Sequence, residues 1–177
     1  MAPSVKQTLS EMTNQYGESV ADMCLTKPVM IVFLRKFGCV FCEEAMKDIA
    51  ERRETIEKRG VRIVLVHMAE NKVAEKYFKQ KNLLEIDHVS DPDCNFYEQF
   101  GLLKGKFGQL YGLQVWLRTA QIAMKDMSLL RQRHIGDGLQ MPGVFLIQDG
   151  QVIESFVHGR SSDRPDYDAL SMCCVRA

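Results

Sequence analysis

The sequence predicts an α/β fold, and three observations carry that prediction. Val29-Met30-Ile31-Val32-Phe33-Leu34 is apolar on both faces, as an inner strand covered from both sides requires. A charged segment follows, with apolar Met46, Ile49 and Ile56 at helical spacing. Gly60 stops it, and a second apolar run, Val61-Arg62-Ile63-Val64-Leu65-Val66, comes directly after. Strand, helix and strand joined this closely make a right-handed crossover to a parallel neighbour.

At 177 residues the chain has the length of one domain, 1–177, able to bury a core without disulfides or metals. Its 46% hydrophobic and 26% charged residues place it with ordinary soluble proteins rather than disordered or fibrous ones. Lys plus Arg and Asp plus Glu each number 23, so no net field draws in nucleic acid or an anionic membrane, and neither is an expected partner. No stretch approaches the ~18 apolar residues of a membrane span. Met1-Ala2-Pro3-Ser4-Val5-Lys6-Gln7 lacks the apolar core of a secretory signal, so a cytoplasmic location is expected. In that reducing setting six cysteines, two of them in C-x-x-C, point to redox or metal chemistry rather than a disulfide framework.

Ser4 and Gln7 have capping-box spacing ahead of Leu9 and Met12, which predicts a short helix ending before Gly17. The segment from Asp22 to Lys27 leads into Pro28, which holds Lys27 extended at the entrance to the first strand. The helix after the C-x-x-C runs from about Cys42 to Arg59. Asn71 caps another through about Lys81, with Val73, Tyr77 and Phe78, and Leu84 to Ser90 offers a short strand. Asp91 as N-cap and Pro92 at the first helical position begin a short helix that Gly101 ends. Cys94 falls in its first turn, either as a small buried residue or as a resolving or peroxidatic thiol.

An insertion spans about 102–140. Gly101, Gly105, Gly108 and Gly112 make its opening loop-like, and Leu110, Leu113, Leu117, Ala120, Met124 and Met127 recur at three- and four-residue steps. They predict a helix from about Leu113 to Arg131, with its stripe packed on the core; a lid over the dithiol and a homodimer contact are the alternatives. Arg131-Gln132-Arg133-His134 with Gly136 and Gly138 reads as an exposed, mobile loop, solvated rather than anion-binding. Val144-Phe145-Leu146-Ile147 is a strand, and Asp149-Gly150 is a hairpin signal before Val152 to Val157, so an antiparallel pair makes the sheet mixed. Asp163, Pro165 and Asp166 begin a last helix around Tyr167 and Leu170. Residues 172–177 form a flexible tail in which Cys173 and Cys174 are too close for an unstrained bridge.

The chemistry centres on Gly38-Cys39-Val40-Phe41-Cys42. At the carboxyl end of a parallel strand these cysteines sit over the first turn of a helix, where unpaired N–H groups and the positive end of the dipole stabilise a thiolate. Arg35 and Lys36 at the strand's end either lower the thiol pKa further or are solvated. Zinc is the rival chemistry. One C-x-x-C supplies two of four ligands, and Cys94, Cys173, Cys174 and four scattered histidines show no second pair, so no metal is expected.

With Gly38-Cys39-Val40-Phe41-Cys42 and Met141-Pro142-Gly143-Val144-Phe145-Leu146-Ile147 in this order, the chain resembles the thioredoxin superfamily. Phe33-Leu34-Arg35-Lys36-Phe37-Gly38-Cys39, Ser90-Asp91-Pro92, Phe100-Gly101-Leu102 and Gln140-Met141-Pro142 look like its peroxiredoxin-like 2 branch, the AhpC/TSA-type antioxidant proteins, over about Asn14 to Leu170. The insertion and the ending His158-Gly159-Arg160…Asp163-Arg164-Pro165-Asp166-Tyr167 are similar to that branch as well. The resemblance implies a thioredoxin-like fold, a central mixed sheet flanked by helices with a helical insertion before a cis-proline strand. It implies a thiol-dependent antioxidant oxidoreductase that reduces peroxides or disulfides. Cys39 would be the exposed nucleophile, Cys42 the resolving thiol beneath it and Pro142 the cis-proline facing them, with Met141, Arg35, Gly38 and Phe41 supporting the site or binding substrate. The peroxiredoxin pattern P-x-x-x-T-x-x-C is not matched from either cysteine: counted back from Cys42, Cys39 stands for the threonine and Arg35 for the proline, and counted back from Cys39, Lys36 and Val32 do. Phe33 stands where thioredoxins carry a buried aspartate. No flavin or nicotinamide fingerprint is present, so no cofactor is expected and an external thiol reductant of thioredoxin or glutathione type would recycle the disulfide. A non-catalytic thioredoxin-like binding or redox-sensing module is the alternative, supported by the insertion.

Overall fold

The computed structural model describes residues 4–125 and 135–173. Two short helices open it, α1 (Val5–Glu11) and α2 (Val20–Thr26), and lead to β1 (Val29–Phe33), whose five residues are all buried. Alternation along a strand explains how one apolar run fills two core layers. Met30, Val32 and Leu34 pack against one set of helices, while Val29, Ile31 and Phe33 face Leu9, Met12 and Met23 of α1 and α2. The helix α3 (Val40–Lys58) crosses to β2 (Arg62–His67), which runs parallel to β1 with Ile31 beside Val64. From there α4 (Asn71–Gln80), β3 (Asp87–Ser90) and α5 (Asn95–Gln99) follow, β3 parallel to β2. The insertion holds α6 (Phe107–Tyr111) and α7 (Leu113–Lys125). The hairpin β4 (Gly143–Gln148) and β5 (Gln151–Val157) then pairs antiparallel on the other side of β1, and α8 (Tyr167–Met172) packs beside α3. The strand order is β3-β2-β1-β4-β5, a mixed sheet with helices on both faces. Among the described residues no helix is long and apolar enough to cross a membrane.

Several local expectations hold for the reasons that motivated them. The Ser4 hydroxyl accepts the Gln7 N–H and caps α1, and Asp166 caps α8 through the Ala169 N–H. Asp149 and Gly150 have φ of 52° and 71°, the left-handed pair that a tight hairpin demands.

Others are corrected. Lys27 is extended, as Pro28 requires, and the segment before it, for which no element was expected, is helical because the Ser19 hydroxyl accepts the Asp22 N–H at 3.1 Å and starts α2. Asn71 lies inside α4; Glu70 holds the cap position and makes no side-chain cap bond. Pro92 precedes α5 rather than opening it, since Cys94 adopts a left-handed φ of 59° and the helix begins at Asn95. Asp91 still serves that helix from a distance: its carboxylate accepts the N–H groups of Asn95, Phe96 and Tyr97. Asp91→Ala leaves these donors orphaned and is expected to lower stability by about 2 kcal/mol, read as a lower urea midpoint at unchanged slope.

The insertion differs most. Gly108 lies within α6, and the expected loop there is a turn of helix. Leu110, in α6, is buried as the stripe assigned to the core requires, but on α7 the rest of the described stripe faces outward: Met124 is 85% exposed, with Leu113, Leu117 and Ala120 also exposed, whereas Val115 and Ile122 are buried. Apolar residues surround this helix, so spacing alone favoured the wrong face. Arg118 of α7 pairs with Glu44 of α3 at 2.8 Å and fixes the helix edge-on. The extension of that helix to Arg131, Met127 in its stripe and the run Arg131–His134 lie outside the described residues, as do residues 174–177 of the expected tail. Met172 of that tail is helical. The part of the expected loop that is described is tied down: Ile135 exchanges both backbone bonds with Phe37, and the Gly138 carbonyl accepts from Arg35. The Met141–Pro142 peptide is trans, correcting the cis assignment; trans is the form X-Pro bonds prefer by ~0.5–1 kcal/mol.

Candidate active site

At the end of β1 the chain makes Leu34 N–H to Val66 O its last sheet bond and turns through Arg35, Lys36 and Phe37 to Gly38. Gly38 has φ of 78°, a left-handed conformation that a Cβ would strain. This kink delivers Cys39 to the N-cap position of α3 and Cys42 to its first turn. Both are free thiols, Cys39 7% and Cys42 4% exposed. The expectation of an exposed nucleophile is thus corrected, because α6 and α7 wall the cleft above Cys39.

The two thiols are electrostatically unlike. Cys39 is lowered from 9.0 to about 5. The largest cause is the Cys42 thiol donating to its sulfur; burial opposes, and the Arg35 guanidinium with the N–H groups of Phe41 and Cys42 lowers it further. Cys42 is pushed well above 9.0, first as the donor in that bond and then by burial. A thiol at 9.0 is about 1% ionised at pH 7, whereas one near 5 is almost wholly thiolate. Arg35, only 4% exposed, resolves its open alternative toward the thiol: Nη1 donates to Cys39 Sγ at 3.3 Å, while Nε and Nη2 both donate to Gly138 O. Lys36 contributes through its backbone, whose N–H donates to Cys42 Sγ at 3.3 Å.

Two cavities reach the dithiol. The larger, about 350 Å³, is lined by Cys39 together with Arg35, Phe41, Leu110, Tyr111, Val115 and Trp116. The smaller, about 30 Å³, is water-sized and reaches Cys42 among Phe41, Pro142, His158, Ser161 and Tyr167. His158 is held down at about 4, chiefly by burial, and is neutral at pH 7. Of the sequence-named residues, Cys39, Cys42, Arg35, Gly38, Phe41 and Pro142 come together. Met141 is buried instead against Gly105, where a Cβ would stand 2.6 Å from its sulfur, and lines neither cavity. Cys94 also lines neither, and burial pushes it up to about 11. Among the described residues no group of three or more His, Cys, Asp or Glu could hold a metal ion.

Sequence reasoning missed Gly138, Glu43, Tyr77 and Lys81 as neighbours of the site. The Arg164–Asp48 ion pair, which also lines the small cavity, was missed as well, although the motif carrying Arg164 had been noted. Their partners lie between 34 and 116 residues away in the chain, so no local pattern announces them.

A family model described as the AhpC/TSA family matches residues 1–156. The chain is 25% identical over 160 residues to a prostamide/prostaglandin F synthase of Salmo salar, covering 88% of this chain and 79% of that one. It is 21% identical over 164 residues to the chloroplastic thioredoxin-like protein AAED1 of Arabidopsis thaliana, a match over 88% of this chain and 66% of that protein. Among solved structures, peroxiredoxin Q of Xanthomonas campestris superposes with a TM-score of 0.66 at 16% identity, over 96% of this chain and 92% of that one. Peroxidoxin BcpB of Mycobacterium tuberculosis gives 0.59 at 15%, over 93% and 90%.

Proposed function

The chain belongs to the AhpC/TSA family, the peroxiredoxin-like part of the thioredoxin superfamily, and from that premise we propose that it is a thiol-dependent peroxidase working through Cys39 and Cys42. The observation that carries the reading is the pairing of a stabilised thiolate at Cys39 with a protonated thiol at Cys42 that donates to it. In the first step the Cys39 thiolate attacks a peroxide oxygen and the O–O bond breaks; the alkoxide takes a proton and leaves as alcohol, and Cys39 becomes a sulfenic acid. Cys42 then attacks the Cys39 sulfur, its proton and the departing hydroxide leave as water, and a Cys39–Cys42 disulfide closes. An external thiol reductant of thioredoxin or glutathione type supplies the two electrons and two protons that reopen it.

The 350 Å³ cleft with its apolar wall of Phe41, Leu110, Val115 and Trp116 suits an organic peroxide better than hydrogen peroxide alone. The name of the Salmo salar relative is consistent with a bulky apolar substrate. A disulfide substrate is the second reading: the same thiolate would attack sulfur, and the free space over Cys39 favours it equally.

The test is a stoichiometric oxidation. One equivalent of tert-butyl hydroperoxide should leave the reduced protein about 2 Da lighter, with the loss mapped to the peptide bearing Cys39 and Cys42 and reversed by an external dithiol. An unchanged mass, or oxidation confined to Cys24, Cys94 or Cys173, would end the reading.

A further inference from the structure

Glu43 follows Cys42 directly, in the first turn of α3, and its side chain is 0% exposed. A buried carboxylate is costly unless paired and hydrogen-bonded, and its negative charge beside a thiolate opposes the chemistry just described. Its partners explain its presence. One oxygen, Oε1, accepts the Tyr77 hydroxyl, and the other, Oε2, lies 2.5 Å from Lys81 Nζ. The Tyr77 oxygen in turn accepts the Gly38 N–H at 2.9 Å. Its ring is stacked on Phe37 with centroids 4.5 Å apart and planes 16° from parallel. A single line of polar contacts therefore runs from Lys81 at the end of α4 through Glu43 and Tyr77 to the amide of the residue before Cys39.

The direction of these bonds matters. A phenol has one proton and lone pairs to spare. With its proton committed to the Glu43 carboxylate, the Tyr77 oxygen can turn only lone pairs toward Gly38, so the carboxylate makes it an acceptor at the point where an amide needs one. Lys81 Nζ, beside the second carboxylate oxygen, supplies the opposite charge in that buried place. Gly38 stands in a left-handed conformation that nothing in its own side chain can hold.

We propose that Glu43, Tyr77 and Lys81 are positioning residues, a buried strut that clamps Gly38 and thereby sets the Cys39 sulfur over the amides of Phe41 and Cys42. The proposal rests on the reading of Cys39 as nucleophile and adds what keeps it reactive. Without the clamp, Gly38 relaxes and the sulfur drifts from its donors, while the fold, carried by the two core layers, persists.

The test measures Cys39 alkylation by iodoacetamide against pH in the full chain, with mass spectrometry resolving each cysteine. It needs neither peroxide nor reductant and so reports on the strut whether or not the chain turns over. Tyr77→Phe keeps the stacked ring and removes only the oxygen; it should move the Cys39 midpoint up by about one pH unit and slow alkylation at pH 5.5, within that window, by ~3-fold. Glu43→Leu combined with Lys81→Met should do the same. Glu43→Gln with Lys81→Met keeps a neutral acceptor for the hydroxyl and should recover most of the wild-type midpoint. Tyr77→Phe with a wild-type midpoint, whatever its melting temperature, overturns the strut, as does a wild-type midpoint in the Leu variant or a Gln variant shifted as far as the Leu one. A wild-type midpoint near 9 would instead remove the nucleophile reading beneath it.

Discussion

Serine in place of Cys39 should abolish turnover of both organic peroxide and disulfide substrates, by at least about 10³-fold, the scale expected when a nucleophile has no substitute. The reason lies in the asymmetry of the pair. Cys39 alone combines thiolate character with a wall position in the larger cleft, whereas Cys42 is held protonated and faces a space of one water. Serine at 39 puts a hydroxyl that is un-ionised at neutral pH in the thiolate's place. Serine at 42 should give a different failure. The first attack survives, and the protein stalls after one event as a sulfenic acid or mixed disulfide that a small thiol can discharge. Steady-state assays with both substrates, plus mass analysis of the stalled species, separate the roles. Equal turnover in both variants and the wild type would contradict them.

Arg35→Met should produce the second large effect. The guanidinium is buried, makes no ion pair among the described residues, and uses its donors on Cys39 Sγ and Gly138 O. Its charge therefore acts on the Cys39 thiolate, with Asp137 a further negative group within reach. Removing it takes away an attractive charge and a donor while burial remains, and both changes raise the Cys39 pKa from about 5. A rise of two pH units would leave ~10% thiolate at pH 6, an order of magnitude off the second-order rate there, with recovery as the pH approaches 8. The reduction potential should also become more negative, since a stabilised thiolate favours the reduced form, by ~30 mV per 1.4 kcal/mol. Arg35→Lys should restore only part of this, because one ammonium cannot fork between a sulfur and a carbonyl. A pH–rate curve for Arg35→Met that overlies the wild type would show the charge to be incidental.

The frame of the molecule was legible because it is written locally. Val29 to Phe33 is apolar on both faces and becomes the central strand; Gly60 and Gly150 sit where the chain turns; Cys39 and Cys42 open the helix that the spacing of Met46, Ile49 and Ile56 implies. What stayed hidden depends on contacts between distant segments. Helix α2 has a signal, Ser19 three residues before Asp22, but it is too short for periodicity to reinforce. On α7 apolar residues circle the helix, so the buried edge at Val115 and Ile122 was set by the surface beneath, not by spacing. Glu43 looked like one charge among many on a charged helix. Only the approach of Tyr77 and Lys81, from another helix, makes it a buried group. Arg35 and Cys39, four residues apart on an irregular turn, prove to touch each other, a contact that no helical or strand spacing announces.

The central claim is that Cys39 is a thiolate at neutral pH, and the pH dependence of its alkylation in the reduced wild-type protein tests it most directly. The sign follows from the lowered pKa: the reactive form predominates above the midpoint. The account predicts a rate that climbs through pH 5 and is flat from about pH 6.5 upward, with Cys24 and Cys94 inert until far higher pH, each lying near 11. A Cys39 rate still rising through pH 8 to 9, as for an ordinary thiol, would contradict it.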